Sequence, residues 1–203
     1  MELKVFSLIL LFIIAIKCIE SKKPVRTFLV VEDWRPEKKP LTEFTVYDSS
    51  EKNRLYLIRT IFTDLDTIIR TDYRAKKIVG NVEGEWTNRI FNVSLSIYDK
   101  TSDEWIDGTM GCDRIYFTSY FSFLWNGEKV VFKSYNFSKT IKICKQMPGP
   151  LVAQFRYRSL WRSVFIYKYD LKIYDTNVPD VVFLLGLTII HHNEQLPKDN
   201  MWC

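Results

Sequence analysis

Between residues 25 and 180 short runs of alternating apolar and polar residues recur at roughly 8–12-residue intervals, with turn residues between them, which is the pattern of half-buried strands. The clearest is Arg89–Tyr98: Phe91, Val93, Leu95 and Ile97 fall on one side, Asn92, Ser94 and Ser96 on the other. The expected strands are Thr27–Glu32, Glu43–Tyr47, Leu55–Arg59, Thr67–Arg70, Lys77–Val82 and Arg89–Tyr98. They continue with Glu104–Ile106, Tyr116–Trp125, Lys129–Lys133, Thr140–Lys145, Leu151–Arg156 and Val164–Tyr174. Asn126-Gly127 and Asp107-Gly108 are expected hairpin turns, because both dipeptides accept the positive φ of a primed turn.

Two apolar runs break the alternation. Val5–Ile16 follows Met1-Glu2-Leu3-Lys4 and ends at Lys17-Cys18. As a helix it reaches about 18 Å, short of the ~30 Å hydrocarbon core. Its length, position and flanks predict a secretory signal peptide over residues 1–21, followed by one domain over 22–203. An uncleaved anchor and an ordinary strand are the alternatives. The second run, Val181–Ile190, is preceded by Pro179-Asp180 and followed by His191-His192. Pro suits a first helical turn and Asp the positive end of a helix dipole, so a helix is expected over about 179–192, with a last core strand as the alternative. A helix without a polar face must be buried on all sides, with Val182, Leu185 and Ile189 in the core. A chain of this length encloses such a helix by wrapping a closed sheet around it. The expected class is therefore mainly β: about twelve antiparallel strands around a central apolar helix.

Composition agrees. Of 203 residues, 47% are hydrophobic and 15% aromatic, with only 7 Gly and 7 Pro, which favours strands and excludes collagenous or low-complexity chains. The net charge of +5 is too small to call for nucleic acid. Signal cleavage removes Glu2, Glu20, Lys4 and Lys17 and leaves that charge unchanged.

Phe44-Thr45-Val46-Tyr47-Asp48 followed by Leu55-Tyr56-Leu57-Ile58-Arg59 resembles the opening hairpins of the tubby C-terminal-like superfamily. Leu151-Val152-Ala153-Gln154-Phe155-Arg156-Tyr157-Arg158, then Trp161 and the strand Phe165–Tyr174, resembles the LURP-one-related and phospholipid scramblase branch. Asp180–Ile190 is similar to that branch's closing helix. The resemblance covers about residues 26–193 and implies a twelve-stranded antiparallel barrel threaded by an apolar helix. It departs from the family in its signal peptide, since familiar members are intracellular or face the cytosol. Tubby-like barrels include binders of phosphoinositides, lipids that an exported copy does not meet.

Asn92-Val93-Ser94 and Asn136-Phe137-Ser138 are N-glycosylation sequons. Export leaves Cys112, Cys144 and Cys203, of which Cys112–Cys144 is the expected disulfide pair; three free thiols are the alternative. Cys203 is terminal, with a possible dimer through it. His191 and His192 point about 100° apart on a helix and do not converge on a metal, so they are expected as imidazolium near the negative end of the dipole. The residues call for no cofactor, metal or catalytic set: the serines lack a nucleophile-elbow context and Cys112 has no neighbouring His. Basic residues beside aromatics stand out in Arg156-Tyr157-Arg158-Ser159-Leu160-Trp161-Arg162, and Arg156, Arg158 and Arg162 are the candidate anionic-ligand surface. Lys139, Lys142 and Lys145 flank another strand, and Arg74-Ala75-Lys76-Lys77 marks a turn.

Together these predict a secreted, non-enzymatic barrel that binds a protein, glycan or anionic lipid, with no nucleic-acid partner and no transmembrane span in the mature chain. A lipocalin-like carrier of a small hydrophobic ligand is the main alternative. It suits the size and strand count, but its Gly-x-Trp belongs near the first strand, whereas Gly84-Glu85-Trp86 lies far along the chain. A hydrolase or scramblase is a third class.

Overall fold

The computed structural model describes residues 23–33, 42–59, 62–63, 66–69, 77–83, 92–115, 118–135, 138–158 and 166–195. The expected signal peptide lies outside them. In chain order the elements are β1 (Arg26–Glu32), β2 (Phe44–Tyr47), β3 (Arg54–Ile58), β4 (Phe62–Thr63), β5 (Asp66–Ile69), β6 (Gly80–Glu83) and β7 (Asn92–Asp99). They continue with β8 (Glu104–Ile115), β9 (Thr118–Trp125), β10 (Glu128–Tyr135), β11 (Thr140–Lys145), β12 (Leu151–Tyr157), β13 (Lys168–Ile173) and the helix α1 (Asp180–Gln195).

All thirteen strands form one sheet, ordered β3-β2-β1-β13-β12-β11-β10-β9-β8-β7-β6-β5-β4, and neighbours are antiparallel. Strand direction therefore alternates along the order, and β3 and β4, the two edges, run the same way. They are also consecutive in the chain, since Ile58 ends one and Phe62 begins the other. Four residue steps reach at most about 14 Å. Thirteen strands laid flat would put the edges about 58 Å apart. The sheet therefore curls, so that the end of β3 and the start of β4 lie within that reach. Among the described residues no hydrogen-bonded ladder joins β3 to β4.

The helix lies inside this curl. Val181 to His192 are all buried, with Val182 and Leu185 fully buried and Ile189 at 1% exposure. Contacts reach it from strands spread around the sheet. Arg26 of β1 pairs with Asp180 at 2.9 Å, and the Tyr56 hydroxyl of β3 donates to the same carboxylate. Phe44 of β2 and Tyr169 of β13 pack on His191. The far end of the Phe132 ring of β10 lies against Gly186, leaving no room for a Cβ there, which is why a glycine interrupts the leucine-rich run. Each large apolar side chain buried in this way contributes roughly 1.5–3 kcal/mol.

Two expectations are corrected. The Asp107-Gly108 dipeptide is not a turn: β8 runs unbroken from Glu104 to Ile115, and Gly108 pairs with Leu95 and Trp125. A Cβ on Gly108 would lie 2.5 Å from the Leu124 carbonyl oxygen, so this glycine serves close strand approach. By contrast Asn126-Gly127 is the expected turn between β9 and β10, with φ of 47° and 71°. The histidines are the second correction. His191 is 2% exposed, and burial, with His192 beside it, pushes its imidazole down to about 4. It is a neutral core ring hydrogen-bonded to the Tyr169 hydroxyl at 2.9 Å, not an imidazolium at the helix end.

Candidate functional site

On each strand the residues that alternate with the core point outward, and the outward sets differ around the sheet. Among the residues whose side chains are described, strands β6–β9 turn two acidic residues (Glu83, Asp107) and no basic one outward. Strands β10–β13 turn six basic (Lys129, Lys133, Lys142, Arg156, Lys168, Lys172) and one acidic (Asp170) outward. The described outer faces of the two sets of strands thus differ in sign.

Register aligns part of the basic set. Lys133 pairs with Lys142, Lys142 with Gln154, and Gln154 with Lys172. One transverse row therefore crosses β10, β11, β12 and β13 with lysine at three of four positions. Their strand neighbours Phe132, Ile141, Ile143, Leu171 and Ile173 are buried, so the lysines face out. At the β9 end the row meets Tyr120, whose ring centroid is 5.4 Å from Lys133 Nζ. A shallow cleft of about 620 Å³ opens beside it, lined by Tyr120, Lys129, Val131 and Met147.

The acids of this face are spent on two other cations. Arg158 makes ion pairs of 2.6 Å with Asp170 and 2.7 Å with Glu51. These contacts, Asp170 first, hold its guanidinium above its ordinary range. Lys145 pairs with Glu128 at 2.9 Å and reaches Asp175 at 3.6 Å, and the Glu128 hydrogen bond raises its ammonium. Of the three arginines expected to bind an anion, Arg156 is exposed on the outer face, Arg158 is neutralised, and Arg162 lies outside the described residues. Lys133 and Lys172 were not among the candidates. Their polar positions within alternating strands carried the signal, but the register that aligns them is tertiary.

The remaining candidates divide similarly. Asn92 and Ser94 are exposed on β7, so that sequon is open to solvent; Asn136 lies outside the described residues, as do residues 74–76 and Cys203. The expected Cys112–Cys144 bridge is not formed. Cys144 is a free thiol, raised by burial. Cys112 shares the inward register of Phe121 and Phe132, whereas Cys144 pairs with the outward Val131. Three strand spacings, about 14 Å, separate the two, more than twice what a disulfide spans.

At the helix C-terminal end a second polar cluster is satisfied internally. Arg59 pairs with Asp33 at 2.6 Å and faces the buried Glu43 at 3.7 Å, while the Thr45 hydroxyl donates to Asp33. Each charge there has a partner, as structural rather than reactive groups do. Among the described residues no three His, Cys, Asp or Glu side chains converge as metal ligands, and no helix is long and apolar enough to cross a membrane. Comparison with protein-family models, curated proteins and solved structures found no match to this chain.

Proposed function

We propose that the protein is a secreted, non-enzymatic binding module whose basic outer face on β10–β13 takes an anionic lipid, glycan or protein partner. The carrying observation is the segregation of outward charge among the described side chains: six basic against one acidic residue on one set of strands, none against two on the next. Exposed charges on sheet surfaces contribute little to folding, so segregating them has no stability rationale.

The architecture that goes with this reading is a closed twelve-stranded barrel of the tubby-like, LURP-one-related kind. In it β3 and β4, which run the same way, are two halves of one strand that pairs with β2 and then with β5. Residues 1–21 act as its signal peptide, and Asn92 and Asn136 carry glycans. A glycan at Asn92 would cover the β6–β9 side and leave the basic side bare. The carrier alternative is disfavoured because the helix fills the space a ligand would need.

The test is co-sedimentation and affinity capture of the secreted protein on polyanionic matrices and anionic vesicles at low and at physiological salt. Binding that weakens with salt supports the reading. Failure to bind any polyanion at low salt removes it. Displacement of a fluorescent fatty acid with one-to-one, saturable binding would establish the carrier instead.

A further inference from the structure

We infer that the partner of the basic face is a linear polyanion, a sulfated glycan chain, lying across the strands along the row Tyr120, Lys133, Lys142 and Lys172. The inference rests on the anion-binding reading above and narrows its partner.

Three features favour a chain over other anions. The first is linearity. The lysines are aligned across neighbouring strands by the register, with Gln154 between the second and third. At about 4.8 Å per strand the row extends some 14 Å, long enough to meet successive charges on one chain.

The second is curvature. In a closed twelve-stranded barrel three strand steps turn the surface through about 90°. A flat bilayer touches such a surface along a narrow strip and cannot reach Lys133 and Lys172 together, whereas a flexible chain follows the circumference.

The third is the type of cation. An arginine fork suits bidentate grip on one phosphate, and the fork here, Arg158, is already bound to Asp170 and Glu51. The row is made of lysines, mobile point charges suited to repeated sulfates. At the β9 end, Tyr120 and its cleft offer an apolar shelf for a sugar ring beside the charges.

The experiment compares three forms of the full-length secreted protein: wild type, Lys133→Gln/Lys142→Gln/Lys172→Gln, and Lys52→Gln/Lys77→Gln/Lys100→Gln, which changes three exposed lysines outside β10–β13. The two triple variants lose the same charge. Each is titrated against a heparin-type sulfated glycan, its desulfated form, and vesicles of roughly one part phosphatidylserine to three parts phosphatidylcholine. Thermal melting verifies folding, which these outward positions should preserve.

The expected result is sulfate-dependent binding by wild type. The row variant should lose about tenfold or more in affinity, with a salt slope shallower by about two to three, while the other variant keeps both. Equal losses in the two variants would mean net charge alone is read and would overturn the row. Equal binding of the desulfated glycan would overturn recognition of sulfate. Vesicle binding without glycan binding would overturn this inference and leave the anion-binding face standing. No binding to either probe at low salt would end both.

Discussion

Strands β7 and β10 line the same interior with the same kind of side chain, Val93, Leu95 and Ile97 on one, Val130 and Phe132 on the other. Outward they part: β7 shows Asn92, Ser94 and Ser96, and β10 shows Lys129 and Lys133. The same contrast extends over their neighbours. Inside, the choice of residue is dictated by the apolar helix that the sheet covers. Outside, no packing partner dictates anything, so the charge pattern is free to serve a partner. The inner layer therefore reports how the protein folds, and the difference between the outer layers is the feature on which the proposed function rests.

That contrast can be attacked from either side. The largest effect is expected at the shared interior. Leu185→Asp places a carboxylate where exposure is zero, at a cost of several kcal/mol, comparable with the whole stability of a domain. Circular dichroism and gel filtration should show loss of the fold, and with it of both faces. A variant that melts like wild type would remove the helix from the core.

Acid is the next probe, directed at the β2 and β13 side where His191 packs. The folded imidazole titrates near 4 and the ordinary value is 6.5, so the unfolded chain takes up the proton first. This group's contribution is complete above about pH 6.5 and is lost as pH falls toward 4, up to about 3 kcal/mol. The Glu32 carboxyl, raised by burial, acts in the opposite direction, because its folded form holds the proton better. Comparing melting temperatures of wild type and His191→Phe across pH 4 to 7 isolates the histidine, and the variant should show the flatter profile.

A smaller change separates the two faces. Gly108→Ala forces a Cβ against the Leu124 carbonyl between β8 and β9, at a cost of about 1–3 kcal/mol by denaturant melting. It should leave retention on a sulfated matrix unchanged, because the lysine row lies on other strands. Loss of that retention in a folded variant would show that the faces are not independent. The smallest effect is expected from Asn92→Gln. Secreted from a glycosylating host, it should run one glycan's mass lower on a gel while its stability moves by less than about 0.5 kcal/mol.

Much of this fold was legible along the chain. Alternation placed eleven strands near where they lie and caught only the first three residues of β8, while β11, Thr140–Lys145, matches to the residue. Pro179-Asp180 marked the start of the helix, because fixed φ and a negative first turn are local chemistry. The two-residue β4 carried no periodic signal. The failure at Asp107-Gly108 is equally instructive. A turn and a close strand contact both call for glycine, and only the neighbouring backbone distinguishes them. The candidate site was less legible. Arg158 looked available until the fold brought Glu51, 107 residues away, to within 2.7 Å.

By itself the sequence determined the alternation, the all-apolar helix and the asymmetric supply of lysines, since each is written in residue type and spacing. Tertiary structure alone decided which lysines stand in one row, which arginine is neutralised and which thiols lie too far apart to pair. Those outcomes depend on sheet register. It brings together residues as separate as Lys133 and Lys172 through hydrogen bonds between backbones, a relation that the spacing along any one segment does not contain.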